Sequence, residues 1–95
     1  MHVRVRLPTQ LRNLVAGASS VVVVIDSMPA TVSSVLDSLA ATLPALERRV
    51  RNETGRTRVH VNLFVDDDNI RDLDGVDTTI ADGPDLSIIP AISGG

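Results

Sequence analysis

The sequence predicts an α+β domain in which one main helix packs across a mixed β-sheet. Apolar and polar residues alternate near the start of the chain and again after residue 58, which is the period of half-buried strands. Between these regions, apolar residues recur at the spacing of one helix face from residue 32 to residue 43. The 95 residues are the size of one domain, and with Phe64 as the only aromatic residue the core must consist of Val, Leu and Ile.

The first two strands are expected to form a hairpin. Apolar side chains alternate with polar ones over residues 2–7, and the β-branched run Val21–Ile25 predicts a second, well-buried strand. A turn is expected near residues 16–18. Leu11 and Leu14 are expected to anchor the wide connection between the two strands.

The main helix is expected to begin after Thr31, whose side chain is a suitable N-cap. Its apolar face is predicted to consist of Val32, Val35, Leu36, Leu39, Ala40 and Leu43. Pro44 is expected to end this helix or to begin a shorter helical piece that contains Leu46 and Val50.

The later strands complete the predicted sheet. One strand is expected to begin near Arg58 and to turn four of its side chains toward the helix: Val59, Val61, Leu63 and Val65. Ile70 is expected to begin a short return strand, Asp77–Ala81 to form a helical turn, and Leu86–Pro90 to form the last strand. This order is that of the β-grasp fold, with the domain over residues 1–90 and a flexible tail over residues 91–95.

The composition excludes several kinds of site. The chain has no cysteine, which rules out disulfides, thiolate nucleophiles and cysteine-bound metals. His2 and His60 lie in strand-like stretches and are expected to point outward without binding a metal. The acidic turn Asp66–Asp68 lacks the spacing of a calcium loop and is expected to be solvated, as is most of the arginine-rich segment 48–58.

The charges are segregated along the chain. Residues 1–65 carry eight arginines and four acidic residues, whereas residues 66–85 carry eight aspartates and one arginine, and the net charge is −3. This bulk charge is not that of a nucleic-acid-binding protein. No run approaches the roughly 20 apolar residues of a membrane-spanning helix. We therefore expect a cytoplasmic protein with no nucleic-acid or membrane partner.

The chain ends in two glycines, Gly94 and Gly95, shortly after an apolar strand. The five residues beyond Pro90 reach roughly 16 Å when extended. Because glycine lacks Cβ, such a tail can enter a narrow channel. A carboxylate is a poor electrophile, but adenylation by ATP would activate it for attack by sulfide or a persulfide. The simpler interpretations are a flexible tail and a truncated end.

Short stretches along nearly the whole chain match one protein family: Leu7-Pro8-Thr9 with Leu11-Arg12, Thr31-Val32, Val61–Asp67 with Ile70-Arg71, Ile80–Gly83, and Ile88–Gly95. On these residues the sequence resembles the ThiS/MoaD family of ubiquitin-like sulfur carriers. The resemblance implies a β-grasp fold and no enzymatic activity of its own. It also implies that the Gly95 carboxylate, beside Gly94, is adenylated and becomes a thiocarboxylate that donates sulfur to a biosynthetic enzyme.

The resemblance further implies partners. A ubiquitin-activating-like adenylyltransferase/sulfurtransferase would use ATP and Mg²⁺, while this chain would bind no cofactor and be a monomer when free.

The ending Pro90–Gly95 resembles that of mycobacterial carriers that serve cysteine biosynthesis, whose acceptor is a cysteine synthase. MoaD-type carriers typically have two prolines where this chain has Pro90-Ala91, which weighs against a small subunit of molybdopterin synthase acting with the large subunit. The sequence is also compatible with a protein modifier and with an interaction module that transfers no sulfur.

Partner contacts are expected at two places. If the residues beside Phe64 face the helix, Phe64 must face the open side of the sheet, where Ile89 is expected to join it in an apolar docking patch. The opposite possibility is that a loop or the segment 48–58 covers Phe64. In the tail, Ile92 and Ser93 are expected to contact the partner, and the alternative for Ile92 is a last contact with the edge of its own domain.

Overall fold

The computed structural model describes residues 1–26, 28–81 and 85–90. Within these residues, five strands form one mixed sheet: β1 His2–Arg6, β2 Ser20–Val24, β3 Val61–Val65, β4 Asp68–Asn69 and β5 Asp85–Pro90. Their order across the sheet is β2-β1-β5-β3-β4. The helices are α1 Val32–Thr42 and α2 Pro44–Val50, with 3-10 helices at Thr9–Val15, Ile70–Asp72 and Gly75–Asp77. The predicted α+β arrangement, which is that of the β-grasp fold, is confirmed.

The hydrophobic core lies between the two α-helices and the inner face of the sheet. Val5 of β1, Leu63 of β3 and Leu86 of β5 are almost entirely buried, as are Leu36 of α1 and Leu46 of α2. Aliphatic side chains alone therefore fill the core, as the composition required.

The opening hairpin forms as predicted. β1 and β2 pair antiparallel. Ala16 and Gly17 adopt the left-handed conformation, with φ of 55° and 84°, in the turn before β2. Leu11 and Leu14 lie in the connecting 3-10 helix and pack against the core.

The prediction of a well-buried second strand was wrong. β2 lies at the edge of the sheet, and Val22 and Val24 are 60% and 54% exposed. Because the helices cover only one face of the sheet, only the alternate valines of this run reach the core. An unbroken β-branched run does not distinguish an edge strand from a central one.

The predicted N-cap of α1 is confirmed. The backbone N–H of Ser34 donates to Thr31 Oγ1 at 3.1 Å, and the Thr31 N–H donates to Ser34 Oγ at 2.8 Å. These reciprocal bonds satisfy two backbone groups that the helix leaves without partners. Pro44 is the first residue of α2, where its missing N–H costs nothing.

Three boundaries in the second half of the chain were predicted wrongly. β3 begins at Val61, and Val59 lies in the preceding turn with 87% of its surface exposed. The return strand is Asp68–Asn69, and Ile70 begins a 3-10 helix in which its side chain is buried. The helical turn predicted over residues 77–81 is a 3-10 helix that lies earlier, at Gly75–Asp77. The apolar–polar alternation extends beyond the ends of the strands because apolar residues such as Val59 also occur in the adjoining turns, and the alternation therefore does not mark where a strand ends.

The prediction of a mostly solvated arginine segment was wrong for Arg51. Its Nε donates to Glu47 Oε1 at 2.6 Å, and its Nη2 donates to Asp37 Oδ1 at 3.0 Å. Glu47 and Arg51 are both buried, one helical turn apart, and Asp37 reaches the pair from α1. Burial alone would lower the pKa of Arg51, but the hydrogen bonds and charges of the two carboxylates outweigh it and raise that pKa. The contact between Arg51 and Asp37 connects the C-terminal end of α2 to α1.

Replacing Arg51 should destabilise the fold because it leaves Glu47 buried without its partner. We expect Arg51→Ala to lower the free energy of unfolding by about 3 kcal/mol, measured by urea denaturation. Arg56→Ala, at an exposed position, is the control and should change it by less than about 0.5 kcal/mol. Equal losses for the two variants would show that the buried ion pair does not stabilise the fold.

The alternation along β3 predicts unequal costs for two neighbouring residues. Leu63 is 1% exposed, whereas Phe64 is half-buried and lies outside the core. Leu63→Ala should therefore cost about 2–5 kcal/mol of stability, and Phe64→Ala clearly less. Thermal and urea unfolding of both variants measures the difference. The reverse order would mean that β3 faces the other way.

Candidate functional site

The outer face of the sheet carries the predicted docking residues. The register places Phe64 opposite Ser87 and Asn62 opposite Ile89. Phe64 and Ile89 are therefore diagonal neighbours on one face, within reach of each other's side chains. Ile89 is 46% exposed and Phe64 is half-buried. We call these two side chains the open-face patch.

Charged residues border the open-face patch on the side of β1. Arg4 and Arg6 point to the same outer face, since the buried Val5 lies between them. Arg6 Nη1 lies 3.7 Å from Asp85 Oδ2, and both side chains keep substantial contact with solvent. Such an exposed pair contributes little to stability. The pair forms the polar edge of the open-face patch on this side.

Arg71 organises the turn that leads into β3. Its Nη1 donates to Asn62 Oδ1 at 2.6 Å, and its Nη2 donates to the carbonyl oxygen of Val61 at 2.9 Å. The same Nη2 lies 3.3 Å from the carbonyl oxygens of Arg58 and Val59. The Arg71 guanidinium therefore donates hydrogen bonds to three backbone carbonyls of the turn and to the side chain of Asn62, which lies beside the open-face patch. The sequence marked Arg71 only through the family resemblance, since nothing in its spacing from residues 58–62 indicates this contact.

The predicted reactive end of the chain follows β5. Pro90 pairs with Val61 at the start of β3, so the tail leaves the sheet beside the turn that Arg71 holds. The predicted site residues Ile92, Ser93, Gly94 and Gly95 lie outside the described residues. The structure thus fixes where the tail begins.

Neither a metal cluster nor a membrane-spanning helix occurs in the described part of the chain. No group of three or more His, Asp or Glu side chains there could hold a metal ion. None of the helices described is long and apolar enough to cross a membrane. His2 and His60 are both exposed.

Comparison with known proteins gives a consistent result. A sequence model of the ThiS family matches residues 5–95. The chain is 34% identical to the sulfur carrier protein CysO of Mycobacterium tuberculosis over the full length of both chains. The crystal structure of that CysO gives a TM-score of 0.81, covering 95% of this chain and 99% of the other.

Two further relatives extend the comparison. A chain of the BexX/CysO complex of Amycolatopsis orientalis is 30% identical, with a TM-score of 0.83, and the match covers 98% of this chain and 99% of that one. The small archaeal modifier protein 3 of Haloferax volcanii is 38% identical over 70% of this chain and 71% of its own length. The chain therefore belongs to the ThiS family, the ubiquitin-like sulfur carriers that its sequence resembles.

Proposed function

We propose that this protein is a sulfur carrier whose Gly95 carboxylate is adenylated and then converted to a thiocarboxylate. The observation that supports this most is the full-length likeness to CysO, in a chain whose Gly94-Gly95 end follows β5 after three residues. The described domain holds no metal cluster, and the whole sequence has no cysteine. The sulfur would therefore be carried on the main-chain terminus.

The proposed chemistry exchanges one oxygen for sulfur. A Gly95 carboxylate oxygen attacks the α-phosphorus of ATP, and pyrophosphate leaves. Sulfide then attacks the carbonyl carbon of the acyl adenylate, and AMP leaves with the original oxygen. If the donor is a persulfide, a thiol must afterwards cleave the S–S bond. The activating enzyme would supply Mg²⁺ and stabilise the phosphate charges, and this chain would supply the carboxylate.

The acceptor we favour is an enzyme of cysteine biosynthesis, a cysteine synthase. The support is the likeness to CysO together with the Pro90-Ala91 ending, which differs from the two prolines typical of MoaD-type carriers. The large subunit of molybdopterin synthase is the second possible acceptor.

A second candidate function is protein modification, favoured by the likeness to the small archaeal modifier protein 3. In that case Gly95 would be joined to amino groups of other proteins. Intact mass spectrometry separates the two, since a modifier yields adducts on many cellular proteins and a carrier yields a thiocarboxylate on itself.

Thiocarboxylate formation should depend on the terminal residue. Incubation with the ubiquitin-activating-like adenylyltransferase of the same organism, ATP, Mg²⁺ and sulfide should add the mass of one oxygen-to-sulfur exchange. Deleting Gly95, or adding a residue after it, should abolish that mass change while leaving the fold intact. Sulfur incorporation by the Gly95-deleted chain would contradict the proposal.

The open-face patch should contribute to partner binding. Phe64→Ala should weaken the complex with the activating enzyme by roughly 1–2 kcal/mol, since aromatic side chains at interface centres have costs of this size. Val22→Ala is the matched control, because Val22 is an exposed apolar residue of the same face on the far edge strand. Calorimetric titration measures both variants. Equal affinities of wild type and Phe64→Ala would exclude the patch from the interface.

A further inference from the structure

Two adjoining hollows lie where the tail leaves the sheet. One has a volume of about 170 Å³ and is lined mainly by apolar groups, among them Leu11, Val61, Ile88 and Pro90. The second is lined by Arg48, Arg49, Arg58 and His60. Arg49 and His60 line both hollows, so the two form one surface, which we call the tail-exit groove.

The tail-exit groove is distinct from the open-face patch. Ile88 lines the groove and Ile89 belongs to the patch, and adjacent residues of a strand point to opposite faces. The end of β5 therefore borders two surfaces, one on each side of the sheet.

The charge of the groove is positive although the chain as a whole is acidic. Among the described residues, the ion pairs of this protein involve only Arg6 and Arg51. Arg58 is held in place because its Nε donates to the carbonyl oxygen of Arg48 at 2.8 Å. The arginines that line the groove thus form no ion pair with a carboxylate of the described residues.

An exposed apolar residue lies in the turn that contributes to the groove. Val59 is 87% exposed and lies between two lining residues, Arg58 and His60. Arg71 fixes this turn through the carbonyl oxygens of residues 58, 59 and 61, so the exposed position of Val59 is maintained by a defined set of hydrogen bonds.

The length of the tail determines how near a partner must come. Five residues beyond Pro90 span roughly 16 Å at most. An enzyme that brings a reactive phosphate to Gly95 must therefore place the mouth of its channel against the surface from which the tail emerges. The tail-exit groove is one of the two surfaces that border this point.

We propose that the tail-exit groove docks an acidic segment at the channel mouth of the activating enzyme, with one apolar side chain of that segment against Val59 and the apolar hollow. This inference rests on the proposed function and adds the chemistry of the partner surface. Positive charge around an apolar recess selects carboxylates flanking an aliphatic or aromatic residue. Complementary charges of this kind mainly raise the association rate and make it dependent on salt.

The charge is tested by reversing one groove arginine. Arg49→Glu should lower the association rate with the purified activating enzyme about fivefold or more at low ionic strength, and high salt should narrow the difference. Arg56→Glu makes the same change of net charge at an exposed position that lines neither hollow, and should retain the wild-type rate. Stopped-flow or surface binding kinetics over a salt series measures both. Equal rates for Arg49→Glu and wild type, or equal losses for the two variants, would overturn the proposal.

The apolar contact is tested separately. Val59→Ser should raise the dissociation rate with little effect on folding, whereas Val22→Ser, an equally conservative change on the far edge strand, should not. An unchanged dissociation rate for Val59→Ser would remove this residue from the interface.

One rival occupant is the chain's own C-terminal carboxylate. If it filled the groove, removing Gly94 and Gly95 from the free chain would shift the amide NMR signals of Arg48 and Arg58, and Arg49→Glu would speed association by freeing the tail. We expect neither result, and either one overturns the proposal. Failure of the proposed function is recognised independently, because the wild-type chain would then not become thiocarboxylated at any enzyme concentration.

Discussion

The pairing of the last strand inside the sheet is the interaction on which the other features of this protein depend. β5 is parallel to β1 on one side and antiparallel to β3 on the other. Its partners lie near the start of the chain and in its second half, so the sheet is complete only when the chain end is in place. Leu86 and Ile88 of this strand are fully buried in the core. The point at which the tail begins is consequently set by the most central strand of the sheet.

This position also gives the end of β5 two different neighbours. Strand alternation directs Ile88 toward the core side and the groove, and Ile89 toward the open face. Within β5, only Asp85–Ser87 pair with β1. Beyond Ser87, Leu11 of the 3-10 helix at Thr9–Val15 lines the groove together with Ile88 and Pro90. The groove therefore lies where β5 continues past its pairing with β1.

Most of the fold could be predicted from periodicity and capping residues. Thr31, Pro44 and the alternation around Leu63 each act locally, so the sequence near them is sufficient to predict the structure. The position of β2 at the sheet edge and the true start of β3 depend on strand order, which local alternation does not encode. That explains why Val22, Val24 and Val59 were expected to be more buried than they are.

The polar interactions were less predictable than the apolar ones. Arg51 was expected to be solvated with its neighbours, because a run of arginines gives no sign of which one meets a carboxylate. Arg71 acts on backbone carbonyls, which every residue has, so no sequence pattern marks its partners. The open-face side of Phe64 followed from alternation within one strand. The tail-exit groove combines four separate segments and required the structure.

Because the tail is short, the surface that binds the activating enzyme must lie close to the reactive carboxylate. Holding five residues in one extended path costs about 1–2 kcal/mol per residue in backbone entropy, or roughly 5–10 kcal/mol in total. The glycines add flexibility and no side-chain contacts, so they cannot offset this cost themselves. The expected contacts of Ile92 and Ser93 with the partner offset part of it, and contacts made by the folded domain add to them. Those domain contacts must lie close to Pro90 because the tail spans only roughly 16 Å. The two surfaces that border the end of β5 meet this requirement, since each presents apolar side chains within a few residues of the tail. A carrier of this kind can therefore keep its reactive end free of bulky side chains, because the domain from which the tail emerges provides the binding energy.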